Sequence, residues 1–351
     1  MTNIAVLGAG AWGTTLAKLL CENDHKVKLW SHSEKTAYDI RHMLRNKRHL
    51  DNIDLPEELY VSAKISDIID DVRIIVNAVA SPYVAEVFGE VNKHISGDIS
   101  IVSATKGLNP KDGSRMSEII KKELGLDDRK IAVMSGPSLS KDIACKNPVV
   151  TTIASHPITF AEELQKIFCS RYFRPYICDD VIGVELSGAV KNVLAIAAGI
   201  CRGAGYGDSS VASVVGRGWH DLTHMAIKLG VHPTTFWTSA VFSDVLLSCT
   251  TKKSRNHMYG VLIGSGAGTP DTAMNYFGSS VIEGRNTVRG LNELINKLRE
   301  KDNSIFLPVF NMIYGILEDG LDSKSALDDF MSKLTGREID AWLYNCFGGQ
   351  M

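Results

Sequence analysis

Short apolar runs alternate with amphipathic stretches along the first half of the chain. The apolar run at residues 4–7 predicts a buried strand over residues 3–7, and residues 14–23 continue with helical periodicity. Further strands are predicted at residues 26–30, 73–79, 99–104, 130–134, 147–154 and 172–177. Most of these segments are short apolar runs rather than alternating ones, which is typical of strands that are covered on both faces in a doubly wound, mostly parallel α/β sheet.

The pattern changes after about residue 180. The segments 183–200 and 210–230 are rich in small apolar residues and have helical periodicity. A chain of 351 residues is longer than one hydrophobic core usually serves, so we expect two domains. We predict an α/β domain over residues 1–182 and an all-α domain over residues 183–351.

The charge composition gives the protein no strong overall electrostatic potential of either sign. Lys and Arg number 38 against 40 Asp and Glu, and the net charge is -2, so nothing favours nucleic acid or an anionic membrane as a partner. Any anion must therefore be bound locally. The basic run at residues 41–49 is short and is interpreted as an exposed helix face.

Cysteine usage and the start of the chain indicate a cytoplasmic protein. The seven cysteines are scattered without a CxxC pair, which predicts reduced, mostly buried thiols rather than a disulfide framework. The first residues lack the basic region of a signal peptide. No uninterrupted apolar stretch of about 18 residues is apparent, so membrane insertion is not expected.

A glycine motif follows the first predicted strand. Gly8, Gly10 and Gly13, with Ala11 and Trp12 between them, fit G-x-G-x-x-G at the start of a helix. In a Rossmann-like domain the first glycine allows the tight turn, the second allows a pyrophosphate to approach, and the third allows close helix packing. The alternative is a structural turn rich in glycine, but the strand before and the helix after favour a dinucleotide site.

The end of the second predicted strand bears on the choice of cofactor. NAD-selective sites usually carry an acidic residue there, whereas this chain has Trp30, Ser31 and His32, with Lys35 nearby. Ser31, His32 and Lys35 would accept a 2′-phosphate, which favours NADP or dual use. The alternative, that these are solvated loop residues and that NAD binds without this contact, stays open.

Further motifs make the chain resemble a known family of enzymes. They are GAGAWG (8–13), SATKGL (103–108), SGPS (135–138), ELSGAVKN within residues 183–200, SDVLLSCTTKKSRN (243–256) and IEGRNT (282–287). In this order they resemble the bacterial NAD(P)-dependent glycerol-3-phosphate dehydrogenases. The resemblance implies interconversion of dihydroxyacetone phosphate and sn-glycerol 3-phosphate with NAD(P)H, a supply of glycerol 3-phosphate for phospholipid synthesis, and a homodimer formed through the helical domain.

The resemblance implies that Lys191 is the catalytic residue and that Asp244 orients its ammonium. Reduction of a ketone builds negative charge on oxygen, and an ammonium beside the carbonyl stabilises that charge and delivers a proton. We therefore expect Lys191 at the cleft between the two domains. Taken without the resemblance, Lys191 also fits a surface lysine that lays its stem along an apolar helix.

The resemblance also implies contacts with both ligands. The residues expected to contact substrate are Lys106, Gly136, Ser138, Asn192, Ser248, Arg255 and Asn256. Lys106, Arg255 and Glu283 are further expected to contact the cofactor, beside the glycine turn, Ser31 and His32. A guanidinium suits a phosphate because it donates two parallel hydrogen bonds, although Arg255 alone could be a solvated charge at a helix end.

Some positions depart from the family pattern. Ser248 replaces the usual threonine but keeps a hydroxyl, and the segment after Arg217 reads WHDLTH. His220 and His224 are spaced like the histidines of a zinc motif, but the glutamate and a third ligand are missing, so we interpret them as a surface or interface pair and expect no metal. The role of Arg217 is left unassigned.

Two alternative functions stay open. The first is a related two-domain dehydrogenase that acts on another phosphorylated or hydroxy-acid substrate, against which the SRN segment at residues 254–256 argues. The second is a sensor that binds NADPH without turnover, against which Lys191 and Asp244 argue because a sensor needs neither.

Overall fold

The computed structural model describes residues 1–278, 280–303 and 305–332. The chain divides into two compact units. The first unit comprises residues 1–106 and 115–185, and the second comprises residues 107–114 together with the chain from residue 186 onward. Nothing in the sequence pattern predicts that residues 107–114 belong to the second unit. The end of the predicted all-α domain, beyond residue 332, lies outside the described residues.

The first unit is built on one sheet of eight strands. They are β1 (Asn3–Leu7), β2 (Lys26–Trp30), β3 (Tyr60–Ser62), β4 (Ile74–Asn77), β5 (Ser100–Ser103), β6 (Ile131–Ser135), β7 (Val149–Ser155) and β8 (Phe173–Cys178). Their order is β3-β2-β1-β4-β5-β6-β7-β8. Every neighbouring pair is parallel except β6 and β7, so the predicted mostly parallel, doubly wound sheet is confirmed. The short edge strand β3 was not predicted.

Helices connect the strands on both faces of this sheet and continue into the second unit. In the first unit they are α1 (Ala11–Glu22), α2 (Glu34–Met43), α3 (Ile65–Ile69), α4 (Val84–Asn92), α5 (Met116–Leu124), α6 (Ser140–Ala144) and α7 (Ile158–Phe168). Then follow α8 (Val181–Gly203), α9 (Asp208–Lys228), α10 (Asp244–Thr250), α11 (Arg255–Gly264), α12 (Pro270–Met274), α13 (Glu283–Lys301), α14 (Pro308–Leu317) and α15 (Ser323–Ser332). The predicted helical character of the second half is confirmed over the described residues.

The apolar run of β1 shows why these strands lack an alternating pattern. Ile4 and Val6 pack into one hydrophobic cluster, whereas Ala5 and Leu7 pack into another. Successive side chains of a strand point to opposite faces, and both faces of this sheet are covered. All four side chains are fully buried. The strand therefore presents the glycine turn from a rigid, doubly covered position.

Helices α8 and α11 of the second unit approach each other closely through glycine. A Cβ atom on Gly199 would lie 2.0 Å from the carbonyl oxygen of His257, and one on Gly260 would lie 2.2 Å from the carbonyl oxygen of Ile196. Only glycine allows two backbones to approach so closely. Over the described residues, α8 is the one helix long and apolar enough to cross a membrane, but it is mostly buried inside the protein.

Two expectations about surface residues need correction. The basic run at residues 41–49 is not a helix face throughout, because α2 ends at Met43 and Leu44 takes a left-handed conformation with φ of 50°. Asn46 within this run is buried. All six described cysteines are free thiols. Cys145 and Cys169 are exposed, so fewer of the thiols are buried than the sequence predicts. Cys346 lies outside the described residues.

Candidate functional site

The glycine turn after β1 depends on two of its three glycines for its own conformation. Gly8 has φ of 108°, a left-handed conformation, and a Cβ atom there would lie 2.6 Å from the carbonyl oxygen of Ala78. A Cβ atom on Gly13 would lie 1.9 Å from the carbonyl oxygen of Gly8. Gly8 and Gly13 are therefore required by the packing of the turn itself.

Gly10 differs, because no atom lies within 4 Å of a Cβ placed on it. It precedes α1, which begins at Ala11, and no side chain caps the N-terminus of that helix. The first N–H groups of a helix have no partner within the helix and attract anions. The open space at Gly10 and the uncapped helix end fit a diphosphate, so the turn is suited to a dinucleotide.

Two side chains hold the glycine turn in place. The indole Nε1 of Trp12 donates to the carbonyl oxygen of Ala104 over 3.1 Å. The amide Nδ2 of Asn46 donates to the carbonyl oxygen of Ala9 over 2.9 Å and to Oγ1 of Thr14 over 2.8 Å. Asn46 is not recognisable from the sequence, because a lone asparagine in a basic loop carries no local signal for this contact.

At the end of β2, Ser31 differs from His32 and Lys35 in its exposure to solvent. Ser31 is buried, and its hydroxyl donates to the carbonyl oxygen of Ser33 over 3.1 Å and accepts from the N–H of Ser33. His32 and Lys35 are exposed. The nearest carboxylate along the chain, that of Glu34, accepts a hydrogen bond from Arg41 over 2.7 Å. The basic groups open to a ligand at this edge are therefore His32 and Lys35.

Three predicted substrate residues lie together in the first unit. Lys106 follows β5, and Gly136 follows β6, which is the parallel neighbour of β5. Nζ of Lys106 donates to the carbonyl oxygen of Gly136 over 2.8 Å, and the hydroxyl of Ser138 donates to the same oxygen over 3.0 Å. This is the carboxyl edge of the sheet, where doubly wound folds bind ligands.

In the second unit, Lys191 on α8 meets two side chains of α10. Its Nζ donates to Oδ1 of Asp244 over 3.1 Å and to Oγ of Ser248 over 2.8 Å. Asp244 and Ser248 are four residues apart and so lie on one face of their helix. The side chain of Lys191 is 14% exposed and that of Asp244 is 1% exposed. The ammonium has three N–H donors, so one stays available for a ligand.

A buried thiol lies beside this ion pair. Cys249, next to Ser248 in the chain, is buried, and burial raises the pKa of its thiol to about 12. The thiol is therefore neutral, and the ammonium of Lys191 faces one carboxylate and one hydroxyl. A charge that is largely removed from solvent, as the ammonium of Lys191 is, interacts strongly with a polar group placed beside it.

A second chain of hydrogen bonds links α8, α11 and α13. Nδ2 of Asn256 donates to Oδ1 of Asn192 over 2.8 Å, and Oδ1 of Asn256 accepts from the N–H of Gly284 over 2.9 Å. Asn192 directly follows Lys191, and Glu283 directly precedes Gly284. The structure thus brings the predicted residues Asn192, Asn256 and Glu283 close to one another.

Arg255 is the first residue of α11 and is exposed. Its guanidinium makes no hydrogen bond or ion pair with any residue that the structure describes. A cation with no partner in the described part of the chain, at the first turn of a helix where backbone N–H groups also point outward, suits an anionic ligand.

The HDLTH segment serves the packing of the second unit. Oδ2 of Asp221 accepts from the backbone N–H groups of Val309 and Phe310 over 2.8 and 3.4 Å, at the start of α14. Burial raises the pKa of Asp221 to about 7, although Arg217 lies 3.6 Å away. The sequence predicts a surface or interface pair for the histidines, and the surface alternative is wrong for His224, which is buried. Within the described ranges no cluster of three metal-binding side chains occurs.

Comparison with known proteins identifies similar chains over almost the whole length. The family model described as NAD-dependent glycerol-3-phosphate dehydrogenase N-terminus matches residues 3–161, and the corresponding C-terminus model matches residues 180–328. Glycerol-3-phosphate dehydrogenase [NAD(P)+] of Oceanobacillus iheyensis is 34% identical over 340 residues, covering 97% of this chain and 96% of the relative. The enzyme of the same name from Geobacillus thermodenitrificans is 34% identical over the full length of both chains.

A solved structure is similar as well. The crystal structure of glycerol-3-phosphate dehydrogenase from Coxiella burnetii matches with a TM-score of 0.87 and 32% sequence identity. The match covers 95% of this chain and 99% of that one.

Proposed function

The chain belongs to the NAD-dependent glycerol-3-phosphate dehydrogenase family, and we propose that it interconverts dihydroxyacetone phosphate and sn-glycerol 3-phosphate with NAD(P)H. It is an oxidoreductase with a small-molecule substrate. The observation that carries the chemical part of the proposal is the contact of Lys191 with the buried carboxylate of Asp244 and the hydroxyl of Ser248.

We assign the proton transfer to Lys191. NAD(P)H, when bound, supplies the hydride that adds to the carbonyl carbon of the substrate. Lys191 donates a proton to the carbonyl oxygen as charge develops there, and it takes the proton back in the reverse direction. Asp244 and Ser248 accept hydrogen bonds from two of the three N–H groups of Lys191. These two bonds fix the direction in which the third N–H group points. Such preorganised donors lower the cost of charge development.

We assign the substrate phosphate to Arg255 and Asn256. The exposed guanidinium of Arg255 has no partner among the described residues and can donate two parallel hydrogen bonds to phosphate oxygens. Asn192 orients the side chain of Asn256 through the hydrogen bond between them. Lys106, Gly136 and Ser138 are proposed as further substrate contacts, since they gather at the carboxyl edge of the sheet.

We assign the dinucleotide to the glycine turn. Gly8 and Gly13 shape the turn, and Gly10, Ala11 and Trp12 present open space and helix N–H groups to the diphosphate. Two further groups complete the assignment: His32 at the end of β2, in a turn that the buried Ser31 shapes through its hydrogen bonds with Ser33, and Lys106, Arg255 and Glu283. The basic groups of His32 and Lys35 support use of NADPH as well as NADH.

We further propose that the product supplies phospholipid synthesis, that the enzyme acts in the cytoplasm, and that it is a homodimer formed through its helical unit. Size-exclusion chromatography with light scattering would test the dimer. A monomer at micromolar concentration would contradict it.

The reaction itself is tested by following nicotinamide absorbance with purified protein. Dihydroxyacetone phosphate is added to NADH or NADPH, and parallel reactions receive free dihydroxyacetone or a 2-keto acid. We expect rapid oxidation of NADH or NADPH with dihydroxyacetone phosphate and not with the other carbonyl compounds. Preference for another carbonyl compound would favour a related dehydrogenase, and a flat trace with every substrate despite cofactor binding would favour a sensor.

A further inference from the structure

Asn46 makes a buried contact with the glycine turn that the proposed chemistry does not yet use. It lies in the loop after α2, and its side chain is almost inaccessible to solvent. Both of its amide hydrogens are spent on the turn, one on the carbonyl oxygen of Ala9 and the other on Thr14 in the first turn of α1. We propose that Asn46 is a positioning residue for the dinucleotide, a role that rests on the proposed function.

The peptide that joins Ala9 to Gly10 explains how the contact acts. A trans peptide is planar, and its C=O and N–H groups point in opposite directions. Anchoring the carbonyl of Ala9 to Asn46 therefore directs the N–H of Gly10 away from Asn46. That N–H makes no hydrogen bond with any described residue, so it is free to donate to a ligand. Asn46 thus orients a donor that it does not touch.

The orientation of the Asn46 amide is itself determined by this contact. Reversing the amide would place Oδ1 of Asn46 against the carbonyl oxygen of Ala9, where both atoms only accept hydrogen bonds. In the observed orientation Oδ1 is buried and accepts no hydrogen bond from the described residues. A buried oxygen without a donor lowers stability. The amide of Asn46 therefore provides hydrogen-bond donors to the turn, while its own oxygen is left without a donor among the described residues. This arrangement points to a role in shaping the turn beyond general packing.

The opposite end of α1 offers a matched control. Asn23 caps the C-terminus of this helix, and its amide donates to the carbonyl oxygens of Ile167 and Cys169 over 2.9 and 3.2 Å. It has the same residue type, the same unit and the same number of amide contacts as Asn46, but it lies far along the helix from the glycine turn. If the role of Asn46 is purely structural, its replacement should lower stability and, like the replacement of Asn23, leave the Kd for NADPH unchanged.

The experiment compares Asn46→Ala, Thr14→Val and Asn23→Ala with the wild type. Melting temperature is followed by circular dichroism, the Kd for NADPH by nicotinamide fluorescence, and the KM for dihydroxyacetone phosphate at saturating NADPH. We expect N46A to raise the Kd by about tenfold, the equivalent of one well-placed hydrogen bond to a charged group, with a KM change below about twofold. T14V should raise the Kd by about threefold, and N23A should leave it within about twofold.

An unchanged Kd in folded N46A, or an equal rise in N46A and N23A, would overturn the positioning role. If N46A does not fold, T14V decides by the same criterion, because it removes one acceptor of the Asn46 amide without changing the side-chain shape. A wild-type chain that binds neither NADH nor NADPH would overturn the proposed function, and the positioning role with it. Wild-type binding with an unaffected N46A would overturn the positioning role alone.

Discussion

Nζ of Lys191 lies 3.1 Å from Oδ1 of Asp244, and the two residues are 53 positions apart in the chain. The carboxylate is buried, and the ammonium is mostly buried. Removing one partner of such a pair leaves an unpaired charge in a dry site, which is costly. The pair therefore persists only if the whole arrangement around α8 and α10 is maintained.

Replacing Lys191 with Ala should lower kcat by about 100-fold or more, because general acid catalysis supplies a factor of this size. The Kd for NADPH should stay close to that of the wild type, since the glycine turn is unchanged. Steady-state kinetics and fluorescence titration measure the two quantities. Lys228→Ala is the control, because Lys228 forms an ion pair with Asp302 in the same unit away from α10. A near-normal rate in K191A would reject the assignment.

Replacing Arg255 with Ala should raise the KM for dihydroxyacetone phosphate by about tenfold or more, because a charge-assisted contact with phosphate is lost. The effect on free dihydroxyacetone, which has no phosphate, should be small. Lys252→Ala is the control, since Lys252 is an exposed cation of the loop that precedes α11. Equal losses on both substrates would argue against a phosphate contact.

Replacing Gly10 with Ala should separate cofactor binding from stability. No atom lies near a Cβ at this position, and φ of -73° suits any residue, so the melting temperature should change little. The Kd for NADPH should rise by about tenfold, because the methyl group takes the space of the diphosphate. Gly8→Ala should instead destabilise the fold by about 2 kcal/mol or more, through its left-handed φ and the clash with Ala78. Unchanged binding by G10A would place the dinucleotide elsewhere.

Asp221 should make the protein less stable as pH rises. Its pKa is raised from 3.8 to about 7 by burial, so the native carboxyl keeps a proton that the unfolded chain releases within this range. The free energy of unfolding should therefore fall by up to about 1.4 kcal/mol per pH unit between these pKa values, and the penalty should be complete above pH 7.

Urea denaturation of the wild type and of Asp221→Asn between about pH 5 and pH 8 measures this effect. The amide cannot ionise, so D221N should lose this part of the slope while still accepting from the N–H groups of α14. Asp208→Asn, at an exposed position of the same helix, should keep the wild-type slope. Parallel curves for wild type and D221N would contradict the raised pKa.

The sequence by itself determined the α/β half, the helical half and the dinucleotide turn. Residues 4–7 of β1 are all apolar because both faces of the sheet are covered, and Gly8 is required by its left-handed φ. The periodicity of the apolar residues and the spacing of the glycines are read from neighbouring positions in the chain, so the sequence pattern alone predicts these features. The motif resemblance likewise placed Lys191 and Arg255 among the functional candidates.

Only the tertiary structure decided which distant residues meet. Asn46 reaches the carbonyl of Ala9 across 37 positions, and Asp221 reaches the start of α14 across 88 positions. Neither residue has a local pattern that predicts its partner, because an asparagine in a loop and an aspartate on a helix are ordinary surface residues in most sequences. Their roles come from the close packing of elements, which brings a polar group to a backbone that would otherwise lack a hydrogen-bond partner.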